Sequence, residues 1–409
     1  MKTVIGGIGG ALVLAAGMAP FAATAQDGEA LLAMEWDEIV EAARGGEVNV
    51  FMWGGADNIN AYVSDYIGGL LADEYGITLN RVPLTDTAEA VNIVLGEVEA
   101  GAAEGAVDMI WINGENFRTM KQGDLAWCGY VEKLPNAELV DFDNPAIAND
   151  FGTPVEGCEV PWSRVQFAFA HDTARTEEPP RTIPDLLDWA RANPGRFTYP
   201  APPDFTGAAF VRHVFIHAAG GPETLIGPFD QAKFDEVAVK AWDILNDLEP
   251  SLWREGRTYP TSITQLQQMF ANREVDLFFT YDPAEVGTAV VNGIFPETAM
   301  SYGLEDGTLA NTNYMVIPVN SPNKAAAMVL QNLLLSGEAQ LEKAQPDVWG
   351  AATVIEPDRA SDEVQAGFAA LERHPSVVAI EELGQAALPE LQADWTQAIE
   401  DGWIENVGN

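Results

Sequence analysis

Between residues 47 and 122, short apolar runs alternate with stretches of helical periodicity, and this alternation limits the fold more than any other feature of the chain. Residues 47–53 read as a buried strand, with Val48, Val50, Phe51 and Met52, ending in Gly54-Gly55. A helix over 58–75 and a strand over 77–82 follow. Asp86 and Glu89 then have the spacing of a capping box for a helix carrying Val91, Val94, Leu95 and Val98. A third strand is expected over 107–112, and Asn113-Gly114-Glu115-Asn116 opens another helix. Strands separated by helices cannot pair as hairpins. They pair side by side, so the pattern predicts a largely parallel sheet covered on both faces. A short amphipathic helix over 35–45, stopped by Gly45-Gly46, precedes the series.

The pattern changes near residue 160. Val160-Pro161-Trp162 leads into an apolar strand over 165–171 that has no crossover helix of its own. A second alternating series follows: helices over 183–193, 206–219, 232–248 and 263–271, with strands over 197–199 and 275–281. A strand over 314–319 and a helix over 325–335 come next, and the tail beyond Ser336 reads as helical, bracing one lobe. A chain of 409 residues exceeds what a single core usually covers, so two lobes are expected.

The first 25 residues read as an export signal: Lys2, an apolar stretch over 4–20, then Ala23-Thr24-Ala25 as a small-x-small cleavage pattern. Gly17 and Pro20 break the apolar run short of the roughly 20 residues a membrane span needs. No cysteine follows directly, so no lipid anchor is expected, and the mature chain is expected to be soluble and periplasmic. The net charge of -41 excludes a nucleic-acid partner, which requires a basic surface. Solubility in a salty exterior and attraction of a cationic ligand both fit that charge. Cys128 and Cys158, the two cysteines, form an even pair in an exported chain and are expected to be bonded. Such a bond contributes about 3 to 4 kcal/mol in the chain-entropy model. His213 and His217 share a helix face, but no Glu follows His213 to complete a zinc motif, so a packed pair and no metal are expected. There is no nucleophile elbow and no phosphate loop, and carboxylates are too numerous for spacing alone to nominate a pair. Neither enzyme activity nor a cofactor is expected; an exported hydrolase is the alternative class.

Several segments then resemble a known family. They are WGG (53–55), DMIWINGENF (108–117), VPW (160–162), YPAPPDFTGAAF (199–210), LWREG (252–256), FFTYDPAEV (278–286) and NTNYMVIPVNSPNKAAAMVLQNLLLS (311–336). The chain resembles the extracellular solute-binding proteins of ABC importers, closest to the YnjB-type subfamily, and more distantly the polyamine, thiamine and ferric-ion binding proteins. The resemblance implies a type II periplasmic-binding-protein fold, with two α/β lobes joined by two crossover strands around a ligand cleft. Residues 46–160 and 300–409 would form lobe 1, and 161–299 lobe 2. It also implies a monomer that captures a small molecule and delivers it to a membrane permease powered by a separate ATPase.

In open parallel sheets ligands bind beyond the carboxyl ends of the strands. That rule nominates Trp53, Gly54, Gly55 and Asp57 after the first strand, and Asn113, Gly114, Glu115 and Asn116 after the third. In the second series it nominates Tyr199, Asp204, Phe205, Thr206, Gly207, Tyr281 and Asp282. Trp162 sits at a strand end, and the resemblance adds Asn311 and Asn313. Asp, Asn and Thr here serve equally well as helix caps. Trp111 lies within a strand and reads as core. Arg254 offers a fork for an anion or an ordinary surface ion pair. Aromatic residues interleaved with Asp57, Glu115, Asp204 and Asp282 suggest an organic cation or zwitterion, such as a thiamine- or polyamine-like compound. An anion held by helix starts and Arg254 is the competing class. Adjacent tyrosines of the kind used for ferric iron are absent from the sequence.

Overall fold

The protein is described by a computed structural model covering residues 28–407. The expected export signal lies outside the described residues. In chain order the first strands are β1 (Glu47–Trp53), β2 (Thr78–Leu84), β3 (Met109–Ile112), the short pair β4 (Asn149–Asp150) and β5 (Thr153–Pro154), and β6 (Glu159–Gln166). They are followed by β7 (Ala168–Asp172), β8 (Leu277–Thr280), β9 (Ala299–Tyr302), β10 (Thr308–Val316) and β11 (Ala387–Pro389).

The larger sheet runs β11-β10-β3-β1-β2, with β6 also paired to β10. β1 is parallel to β2 and β3, because a helix returns the chain each time. Alternate residues feed opposite faces. Val48, Val50 and Met52 join one buried cluster, while Phe51, Ile110 and Ile112 join another with Val91 and Val94. The helix Lys324–Leu334 is buried on every side and lies against Trp36–Ala43. Cys128 and Cys158 are disulfide-bonded at the edge of this lobe.

β10 and β6 run antiparallel along their length and carry the chain between the two lobes. The smaller sheet, β8-β7-β9, is antiparallel throughout, although its strands are separated by helices along the chain. β7 arrives straight from β6 with only Phe167 between them. Without a crossover helix on that connection, both of its partners come back against it. Residues 197–199 form no strand. Their neighbours Pro200, Pro202 and Pro203 cannot donate to a ladder, and the Phe197 carbonyl accepts instead from the Trp253 N–H at 2.8 Å.

The tail does not stay with one lobe. Ala339, Trp349 and Val354 pack in the core of the larger sheet. The last helix, Ala393–Asn406, buries Trp395, Ile399 and Trp403 among Phe210, Trp242 and Phe279 of the smaller one. The assignment of residues 300–409 to the first lobe therefore fails for this helix. Its apolar residues recur every four positions, and the stripe they form matches the second core. No helix among the described residues is long and apolar enough to cross a membrane.

Candidate functional site

A cavity of about 220 Å³ opens between the two sheets, at the carboxyl ends of their strands. The first lobe contributes Trp53 at the end of β1, the turn Thr85-Asp86-Thr87 after β2, and Trp111, Asn113, Glu115 and Asn116 at the end of β3. From the second come Asp204, Phe205 and Thr206 at a helix start, Thr280, Tyr281 and Asp282 at the end of β8, and Glu285. Val165 and Asn313 lie on the two crossing strands. Trp349 and Glu400 reach in from the tail.

The aromatic wall has two layers. Trp111 and Trp349 face the cavity, and Trp162 stands behind them, fully buried, with ring centroids 4.9 and 5.1 Å away. Phe205 and Tyr281 form the opposite wall, 5.1 Å apart, and Phe151 approaches Phe205 from the first lobe at 6.1 Å. Trp349 Nε1 donates to Asp282 Oδ2 at 2.5 Å, a hydrogen bond from one lobe to the other.

Six carboxyl groups line the cavity, but they are not equivalent. Asp204 accepts from the Gly207 N–H at 2.8 Å and the Ile263 N–H at 3.0 Å, and so caps two helices at once. Asp282 accepts from the Ala284 N–H at 3.1 Å as well as from Trp349. Glu285 is held by Thr280 Oγ1 at 2.7 Å and Gln267 Nε2 at 2.6 Å. Asp86 accepts from the Ala88 N–H at 2.8 Å. Among the described residues Glu115 has only the Asn116 side chain, at 3.3 Å. For Glu400 there is no hydrogen-bond or ion-pair partner among the described residues.

Burial disfavours the charged form of these acids. It raises Glu115 and Asp204 above the ordinary carboxyl range. It pushes Asp282 up to about 6, against the pull of its hydrogen bonds and of Lys343. Glu285 is pushed up to about 7 by burial and Asp282, and Glu400 to about 8 by burial, Glu115 and Asp86, with Arg212 opposing. Arg212 itself is fully buried behind Phe205, its guanidinium 5.8 Å from that ring. It pairs with Glu390 at 3.2 Å and donates to the Tyr281 hydroxyl at 3.0 Å, while Tyr281 donates to Glu390.

Several nominated residues do not reach the cavity. Trp162 is its second layer, and Tyr199 is core, accepting from Trp403 Nε1 at 3.1 Å. Asn311 donates to Glu390 at 3.3 Å, and Asp57 is exposed at a helix start. Gly54, Gly55, Gly114 and Gly207 act as spacers. A Cβ on Gly55 would lie 2.2 Å from the Trp53 ring, and one on Gly207 would lie 2.1 Å from the Pro200 carbonyl oxygen. Gly114 takes a positive φ, and its N–H donates to Asp150 at 2.8 Å, which fixes the Asn113–Asn116 turn. Arg254 lies outside the cavity, stacked on Trp253 at 4.1 Å. His213 uses both ring nitrogens, on the Ala209 carbonyl at 2.8 Å and the Leu309 N–H at 3.1 Å, so it has no lone pair left for a metal.

Sequence reasoning passed over Asp86, Trp111, Glu285, Trp349 and Glu400. Asp86 follows β2 and satisfies the strand-end rule; its cap spacing hid it. Trp111 lies one residue before a strand end, on the face turned to the other lobe. No local signal marks Trp349 or Glu400.

The family model described as bacterial extracellular solute-binding protein matches residues 70–370. The chain is 37% identical to Protein YnjB of Escherichia coli strain K12 over 377 residues, 92% of this chain and 95% of that one. Among solved structures it is similar to the periplasmic binding protein AfuA of Actinobacillus pleuropneumoniae with fructose-6-phosphate bound. That match has a TM-score of 0.63 and 13% identity, covering 89% of this chain and 99% of the other. It is also similar to the spermidine/putrescine ABC transporter substrate-binding protein PotD of Streptococcus pneumoniae. There the TM-score is 0.61 at 13% identity, with 88% and 98% covered. At that identity the likeness establishes the fold, the type II periplasmic-binding-protein fold, and not the ligand.

Proposed function

Because this chain belongs to the bacterial extracellular solute-binding protein family, the solute-binding components of ABC transporters, we propose that its solute is a small organic cation or a zwitterion with a cationic head. The carrying observation is the composition of the cavity wall. Tryptophan, phenylalanine and tyrosine rings share it with six carboxyl groups, and no lysine or arginine among the described residues lines it. Ring faces attract a cation, and carboxylates complete its charge, so the same wall repels an anion. The cation that an anionic solute would use, Arg212, is engaged by Glu390 and Tyr281 behind the wall. The competing anionic reading thus has little to hold its ligand.

The solute enters between the lobes, and the lobes close by flexing about β6 and β10, excluding water from the cavity. The closed protein then meets a membrane permease served by an ATPase. Export behind a cleaved signal at residues 1–25 belongs to the same reading, and so does a monomeric receptor. Thermal unfolding of ligand-stripped protein against thiamine, polyamines, betaines, sugars, sugar phosphates and anions tests it. A ligand at a hundredfold excess over its dissociation constant raises stability by about 2.7 kcal/mol. A shift confined to cationic or zwitterionic solutes supports the proposal, and a shift with anions or sugars alone overturns it.

A further inference from the structure

The last helix, Ala393–Asn406, lies outside the stretch matched by the family model, yet it reaches the cavity. Its buried stripe anchors it to the second lobe: Trp395 Nε1 donates to the Gly227 carbonyl at 3.0 Å, and Trp403 Nε1 to the Tyr199 hydroxyl at 3.1 Å. On another face it meets the helix Gly114–Gln122 of the first lobe, where Asp394 pairs with Arg118. Glu400 comes from the same helix and Glu115 from the one it meets, and both carboxyl groups look into the cavity. The helix therefore bridges the lobes and brings the two least-engaged acids of the cavity toward each other.

Every other acid of the wall has a backbone or side-chain donor assigned to it. Glu400 has none among the described residues, and the charges around it are mostly of its own sign: Glu115, Asp86 and, on its own helix, Asp401, with Arg212 opposing. Arg118 on the neighbouring helix is taken by Asp394. The helix Gln231–Leu248, also packed on the last helix, places Phe234 and Trp242 against Gly402. Arg212 is committed to Glu390. An ionised Glu400 in this seam is short of one positive charge.

Resting on the reading of this cavity as a cation receptor, we infer that Glu400 is its charge-selecting residue: it holds a proton in the ligand-free protein, and an incoming ammonium group displaces that proton to solvent. Cation capture then releases a proton, and affinity rises with pH. The raised affinity of Glu400 for protons supports the same direction. The coupling also sets what binds well. A fixed quaternary or strongly basic ammonium replaces the proton, whereas a neutral solute of the same shape leaves it in place.

Two measurements test this, and the first needs no ligand. Thermal unfolding of the stripped wild type and of E400Q is followed from pH 5.5 to 9.5. A group that binds protons more tightly when folded loses stability as pH rises toward its folded pKa. The wild type is therefore expected to lose stability more steeply than E400Q from pH 5.5 to about 8. Parallel curves overturn the inference. The second is calorimetric titration with choline and with thiamine, whose quaternary nitrogens keep their charge, in phosphate and in Tris. Affinity is expected to tighten at least roughly tenfold from pH 6 to 9, with proton release visible as a buffer-dependent heat. E400Q at pH 9 should bind no tighter than the wild type at pH 6. Binding without pH dependence or proton release overturns the displacement. A Glu400 titration that stands while neither cation binds overturns the cation-receptor reading instead.

Discussion

Asp204 and Glu400 look into the same cavity from the same lobe, yet they are different kinds of residue. Asp204 sits where a loop becomes a helix, and two peptide N–H groups consume its oxygens. Glu400 projects from the middle of a helix whose hydrogen bonds are internally complete, so no backbone donor is left to claim it. A carboxylate that caps a helix is spoken for by the fold. One in a helix interior is free for a ligand. Pocket-lining acids of this protein thus divide into those that build the walls and those available to a solute.

Four experiments sharpen or break that division. The largest effect is expected at the support beneath it: Arg212→Met strands Glu390 as an unpaired buried charge and should cost about 3 to 5 kcal/mol in denaturant unfolding. A loss under about 1 kcal/mol would show that the Arg212–Glu390 pair does not support the wall. Next, Asp204→Ala removes two caps and should cost about 2 kcal/mol, lowering the unfolding midpoint of the ligand-free protein. By contrast, Glu115→Gln should leave the midpoint nearly unchanged while weakening cation binding about tenfold. If Asp204→Ala proved neutral and Glu115→Gln destabilising, the division would be reversed. The smallest effect is in pH. Asp282 binds its proton more tightly folded than unfolded, with a folded value of about 6. Its contribution to stability is therefore full below about pH 4 and lost as pH rises through 6. Asp282→Asn should flatten the stability profile between those values while leaving an oxygen to accept from Trp349.

Much of this architecture is legible in the chain. β1 matches its expected limits, and the helix 263–271 does too, because apolar period and caps agree there. Of the residues nominated by the strand-end rule, Trp53, Asn113, Glu115, Asn116, Asp204–Thr206 and Tyr281-Asp282 line the cavity, all local to their strands or helix starts. It over-reached at Gly55 and Gly207, whose job is to let Trp53 and Pro200 come close. It failed for Trp162, which lies inside β6, and for Tyr199, where no strand forms; both side chains face the core. In the second sheet, connection order rather than composition decides strand direction.

What the sequence by itself determined is whatever depends on neighbours a few residues apart: the alternating elements, their caps, and the turns that open beyond the strands. Only the tertiary structure decided that the last helix crosses to the second lobe and that Trp349 and Glu400 complete the cavity. It alone decided, too, which carboxylates already have donors. Periodicity reports which face of an element is apolar but not which other element that face will meet. A ligand site assembled from segments hundreds of residues apart is defined by those meetings.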